Sequence, residues 1–262
     1  MTRRFDMDRR AYLKTVGAVG ATAGVAGCLG DVLGGGDEDV IVPGTASGFA
    51  PFEFINEDDE LVGFDIDLAE ETIDRAGYEV GDWTDTEFDS LIPSLTEGNI
   101  DFIAAGMTIN EERQEAIAFS DPYYESDQAV LVAAGSDVDA SAVEDLEGLT
   151  VGAQGGTTGL DEAEALVEEG ILEEDDVRQY DNYPLAVEDL ENGNVDAIII
   201  DIPVAQNFAS GRDVEVAFEI ETGEVFGFGM RQDDDRLGDI NDALEEIRND
   251  DTYEELIETW FE

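Results

Sequence analysis

From residue 39 onward, short apolar runs alternate with stretches in which apolar residues recur every three or four positions. Val40-Ile41-Val42 predicts a buried strand. Over 65–76, Ile66, Leu68, Ala69, Ile73 and Ala76 share one helical face, and Gly77 closes the helix. The same reading gives a helix over 88–96, strands at 100–105, 149–151 and 195–200, and helices over 161–169 and 184–191. Two amphipathic helices, 237–248 and 253–261, end the chain. Repeated strand–helix alternation predicts an α/β fold of parallel sheets covered by helices. An internal echo accompanies it: Leu95-x-x-Gly98-Asn99-Ile100-Asp101-x-Ile103 matches Leu190-x-x-Gly193-Asn194-Val195-Asp196-x-Ile198. Gly-Asn is also ordinary turn chemistry, so the echo has a local explanation; it equally suits two similar lobes. Five residues after each Asp stand Gly106 and Asp201, where ligands gather beyond strand ends.

Three constellations carry candidate chemistry. Gly106-Met107-Thr108-Ile109-Asn110-Glu111-Glu112-Arg113 follows a predicted strand, and its guanidinium offers a bidentate grip on a carboxylate. A surface ion pair is the plainer alternative. Gln154-Gly155-Gly156-Thr157-Thr158-Gly159 lies between strand and helix, so Thr157, Thr158 and the free N–H groups at the helix start form an anion site. A simple turn with a helix cap reads the same way, and without a P-loop lysine nucleotide binding is not expected. Asp201 ends the apolar run Ala197-Ile198-Ile199-Ile200, and a buried carboxylate there needs a cationic partner unless it caps the next helix. A cation, an N–H cradle and an anion together complement a zwitterion, with Phe49 and Phe88 as apolar walls.

Composition changes the setting of this site. The chain has 262 residues with 67 acidic against 12 basic side chains, a net charge of -55 and no histidine. Five basic residues (Arg3, Arg4, Arg9, Arg10, Lys14) precede Cys28, and the remaining seven are all arginine. Such charge strains a compact state in dilute buffer. At molar salt, where the Debye length is about 3 Å, the strain is largely screened. An acidic, lysine-free shell of this kind points to a halophilic protein. Nothing neutralises phosphates, so nucleic acid is excluded as a partner. No metal-ligand cluster or cofactor motif is present, and no histidine or cysteine nucleophile follows Cys28.

The N-terminus reads as an export signal spanning 1–28. Arg9-Arg10-Ala11-Tyr12-Leu13-Lys14 resembles a twin-arginine motif. The apolar run 15–27 is too short for a bilayer core of ~30 Å. Val25-Ala26-Gly27-Cys28 resembles a lipobox, so Cys28, the only cysteine, is the expected lipidation site and membrane anchor. Residues 29–38 read as a flexible tether.

Several ordered motifs carry a family resemblance: Gly44-Thr45, Phe49-Ala50-Pro51-Phe52-Glu53-Phe54, Gly63-Phe64-Asp65-Ile66-Asp67-Leu68, Phe88-Asp89-Ser90-Leu91, Thr108 to Arg113, and Phe119-Ser120-Asp121-Pro122-Tyr123-Tyr124. From 39 to 261 the chain resembles the family 3 solute-binding proteins, the amino-acid receptors of ABC importers. The resemblance implies a two-lobed periplasmic-binding-protein fold of type II, with two hinge strands near 128–131 and 225–228 and a ligand cleft between the lobes. Lobe 1 would comprise 39–127 and 226–262, and lobe 2 would comprise 128–225. It implies that Arg113, Thr108 and the backbone near Thr158 hold an α-carboxylate, within a lining that includes Gly106, Met107, Gln154 and Thr157. Asp201 would take the α-ammonium, and Phe49 and Phe88 would flank the side chain. Ala46 stands where several relatives place an acid, Gln154 where glutamine binders have lysine, and Ile200 is apolar, so a neutral polar or apolar amino acid is expected. The implied partners are that amino acid and an importer permease, for an exported monomer that is not an enzyme. A dehydratase-like secreted enzyme and a sensor input domain are the alternatives on the same fold.

Overall fold

The computed structural model describes residues 39–261; the predicted signal, the tether and Cys28 lie outside the described residues. Two five-stranded sheets form the framework. In the first, Pro43–Thr45 runs parallel to Thr84–Asp85 and to Phe102–Ile103, while Gly229–Met230 lies antiparallel between Phe102–Ile103 and Ala118–Phe119. In the second, Val151–Gln154 runs parallel to Val177–Tyr180 and Ala197–Asp201, and Tyr124–Ala133 and Val214–Phe226 complete it antiparallel. A strand covered by helices is buried on both faces, and Ala197–Asp201 is buried at every position.

The chain passes between the sheets twice, from Ala118–Phe119 into Tyr124–Ala133 and from Val214–Phe226 out to Gly229–Met230. The second passage overlaps the expected hinge at 225–228. The first lies before Tyr124 instead of at 128–131, because Gln128 to Leu131 are paired on both sides inside the second sheet, to Asp201–Ile198 and to Ile220–Val216.

Sequence periodicity locates most elements within a few residues. The helix expected over 65–76 spans Phe64–Arg75; the two at the end span Leu237–Asn249 and Thr252–Phe261. The helix expected over 88–96 begins as a tight turn, Phe88–Ser90, and continues as Leu91–Glu97. Ile202–Gly211 is a further helix, with Pro203 in its first turn, where a missing N–H costs nothing. The internal echo is structural. Asp101 N–H donates to Val42 O at 2.7 Å and its carboxylate accepts from Val42 N–H at 3.1 Å. Asp196 makes the same reciprocal pair with Thr150, at 2.8 Å each way. In both lobes an aspartate therefore locks a buried strand to its neighbour.

The terminal helices pack on Phe64–Arg75 and secure the first passage. Tyr253 Oη donates to Tyr123 O at 2.6 Å, Asn241 accepts from Asp121 N–H at 2.8 Å, and Arg248 reaches Pro122 O. Phe261 stacks on Tyr124 with ring centroids 5.1 Å apart and meets Phe52 at 5.3 Å. Phe52 also packs against Phe226 of the second passage, at 5.3 Å. One aromatic cluster thus joins both crossings to the wall of the cleft.

Close helix–strand contact fixes the start of Thr158–Glu168. A Cβ on Gly159 would lie 2.6 Å from Ile199 O and 2.8 Å from the Tyr183 hydroxyl. Gly159→Ala is expected to cost about 1–3 kcal/mol in chemical denaturation, by lifting this helix off the strand. Unchanged stability would show that the contact is not tight.

Candidate functional site

The cleft opens where strands of both sheets end. Its lining draws on both lobes, and the closed cleft keeps a free volume of only about 20 Å³. Phe49, Phe88, Gly106, Thr108 and Arg113 face it from the first lobe; Gln154, Thr157, Thr158 and Asp201 face it from the second. Met107 does not: it is buried with Leu91, Ile103 and Ile117 in the core beneath.

Arg113 is almost fully buried, on the helix Glu111–Ala116 that Asn110 caps through its side chain at 2.8 Å. Its guanidinium donates to Thr108 O at 2.7 Å and, across the cleft, to Gly156 O at 3.0 Å. It lies 5.4 Å from the centre of the Phe88 ring, a cation–π distance. Burial lowers its pKa, which the negative charges of Asp161, Glu224 and Asp201 offset. Thr158 Oγ1 donates to Thr108 Oγ1 at 3.1 Å, a second contact between lobes, and Phe49 meets Tyr183 at 5.7 Å. The lobes are therefore closed on one another.

The glycine-rich loop is a capped turn that leads into a helix start at the cleft. Thr157 Oγ1 donates to Gln154 O at 2.7 Å and receives a long 3.4 Å bond from Leu160 N–H. The helix Thr158–Glu168 then points its positive end at the cleft. Gly106 holds the opposite wall, with φ +52; a Cβ there would sit 2.8 Å from the Phe49 ring. Its N–H donates to Asp65 Oδ2 at 2.7 Å, and the Tyr123 hydroxyl donates to the same oxygen at 2.5 Å. Burial raises the Asp65 pKa to about 6, with both hydrogen bonds opposing the rise.

Two carboxylates give the cleft its character. Asp201 makes no cap bond to the helix it precedes, which removes the simple capping role. Its Oδ1 is buried without a hydrogen-bond partner. Burial, then the charge of Glu224, raises its pKa to about 7, eased by Ser126 and Gln128. The second is Glu53, which the sequence reading passed over although Phe52-Glu53-Phe54 sets an acid inside an aromatic run. Phe49 and Glu53 form a tight backbone bridge, with Phe49 N–H donating to Glu53 O at 2.9 Å. The turn leaves Glu53 1% exposed with Oε2 unpartnered. Burial pushes its pKa well up, and Asp65, Asp201 and Asp85 push it further. Ala46 and Ala105, both buried, complete the wall.

Residues 41–262 match the family model of bacterial extracellular solute-binding proteins, family 3. The chain is a family 3 solute-binding protein. It is 36% identical over 230 residues to the histidine-binding periplasmic protein of Escherichia coli, covering 84% of this chain and 86% of that one. It is 34% identical over 221 residues to a probable histidine-binding protein of Campylobacter jejuni, covering 83% of each. Among solved structures, an ancestral arginine-binding protein bound to arginine superposes with a TM-score of 0.80 at 37% identity, covering 86% of this chain and 99% of that one. The two-lobed type II fold of this solute-binding protein is thereby shared with amino-acid-binding relatives.

The raised carboxyls make the cleft a stability liability. Between the unfolded pKa of an aspartate and about 7, the folded protein holds the Asp201 proton more tightly than the unfolded chain does. Stability from this group therefore falls as pH rises through that window. Asp201→Asn is expected to raise the melting temperature of the ligand-free protein at pH 8 by roughly 3 °C or more, with little gain at pH 4. A lower melting temperature at pH 8 would contradict this.

Proposed function

We propose that the protein is an exported, lipid-anchored receptor that closes on a free basic amino acid and delivers it to the permease of an ABC importer. The observation that carries this reading is the pair of buried carboxylates, Glu53 and Asp201, each with an unpartnered oxygen, facing a single guanidinium. A neutral amino acid supplies one ammonium and would leave the other acid stranded, at a cost of the order of 1–3 kcal/mol or more. A ligand with two cationic groups satisfies both.

In this reading Arg113 and the N-terminal N–H groups of Thr158–Glu168 hold the α-carboxylate, and Asp201 takes the α-ammonium. Glu53 takes the side-chain cation, between Phe49 and Phe88. The neutral ligand expected from Ala46 and Gln154 gives way here because Glu53 supplies the acid that Ala46 lacks. Relatives named for histidine or arginine support the same direction. Anchoring at Cys28 and a shell suited to molar salt rest on the sequence. Closure explains transport without chemistry: only the closed form presents acids and guanidinium to one ligand, so binding shifts an open–closed equilibrium that the permease reads.

Calorimetric titration at molar salt is expected to show arginine binding at least tenfold tighter than citrulline, its neutral isostere, with Glu53→Gln abolishing the preference. Arg113→Ala should lose at least ~2 kcal/mol for either ligand, and the bound amino acid should be recovered chemically unchanged. Equal affinity for arginine and citrulline would reject the basic ligand; wild-type affinity in Arg113→Ala would reject the site.

A further inference from the structure

We propose that Glu224, which stands behind the cleft wall, is a positioning residue of the ligand site: it orients the Thr108 hydroxyl and places a second negative charge beside Asp201, setting the strength and pH range of α-ammonium binding. The inference rests on the cleft being an amino-acid site but not on the ligand's side chain.

The second crossing strand, Val214–Phe226, carries four glutamates. Glu215, Glu219 and Glu221 are exposed, as alternation on an outer face requires; Glu224 alone is buried. Alternation places it on the same inward face as Ile220, next to a break in register between the two. There Gly223 takes φ +67, and Asp127 Oδ1 accepts from Thr222 N–H at 2.9 Å and from Gly223 N–H at 2.7 Å.

Three donors converge on the inward carboxylate. Thr108 Oγ1 donates to Oε2 at 2.6 Å, while Gln128 Nε2 and Thr222 Oγ1 donate to Oε1 at 3.0 and 2.8 Å. Because Thr108 gives its one hydroxyl proton to Glu224, its oxygen is left to accept, and it accepts from Thr158 across the cleft. The Thr108 loop is also sewn to the crossing strand, through Ile109 N–H to Val225 O at 2.9 Å and Gly227 N–H to Met107 O at 3.1 Å. Glu224 thus ties the Thr108 loop of the first lobe to the crossing strand, and the Thr158 bond adds a link across the cleft.

Glu224 is also the acid that acts most on Asp201. The other charged or titratable groups in reach of Asp201 are Glu53, Arg113, Tyr124 and Tyr183. Two like charges side by side attract an ammonium more strongly than one, and the Glu224 charge holds the Asp201 proton to higher pH.

The test is calorimetric titration of the full chain with arginine in molar potassium chloride from pH 5 to 9, for wild type, Glu224→Gln and Glu224→Asp. Glu224→Gln is expected to weaken binding roughly five- to tenfold at pH 8.5 and to move the pH below which binding fails down by about one unit. Glu224→Asp, which keeps the charge, should keep the wild-type midpoint. Weaker binding with an unmoved midpoint would reduce Glu224 to a packing role and overturn the proposal, as would no change in either quantity. If the wild type ignores arginine and takes a neutral amino acid, the basic-ligand reading fails. The midpoint comparison with that ligand then decides the role of Glu224 in the same way, because the α-ends are identical.

Discussion

A carboxylate oxygen removed from water without a donor is among the least favourable atoms a protein can contain, and this fold holds two around one small cleft. Glu53 and Asp201 each keep an unpartnered oxygen, and each is driven toward its protonated form by burial before any neighbour acts. The surrounding structure is arranged to tolerate that. Arg113 supplies the only guanidinium in the lining, and burial works against its charge as well. The closed cleft is therefore electrostatically incomplete by itself, which is the basis for proposing a basic ligand.

Tolerating such a site requires walls that do not yield. The reciprocal clamps at Asp101 and Asp196 fix corresponding strands in the two lobes. The wall residue Phe49 packs on Phe52, whose aromatic cluster reaches both crossings and the last helix. What remains free to change is the contact between lobes: Arg113 to Gly156 and Thr158 to Thr108 join groups from opposite sides. Rigid lobes with a few polar bonds between them suit a two-position device.

Much of this was legible in the sequence, and the exceptions have physical reasons. Helical periodicity located the helices because one face of each must be buried, and the Gly-Asn echo exposed the repeated strand clamp. Nine of the ten proposed lining residues face the cleft, since glycine-rich turns and strand ends advertise it. Met107 differs because one position along a tight turn reverses the side chain into the core. Glu53 escaped notice because its burial comes from packing beneath the hairpin bridge to Phe49, which no spacing announces. The burial of Glu224 depends on partners at Thr108, Gln128 and Thr222 that meet it only once the strands pair. The helix Ile202–Gly211 was obscured by Pro203, which reads as a breaker unless its place in the first turn is known.

The strand Gly229–Met230 lies between Phe102–Ile103 and Ala118–Phe119 in the first sheet, while every strand of the second comes from 124 to 226. The two lobes thus reach completeness at different moments of synthesis. The second has its whole sheet once residue 226 is free of the ribosome. The first waits for Gly229–Met230 and then for the helices that brace the crossing. A nascent chain consequently has its second sheet complete before its first, and the cleft, built from both lobes, is the last thing to exist.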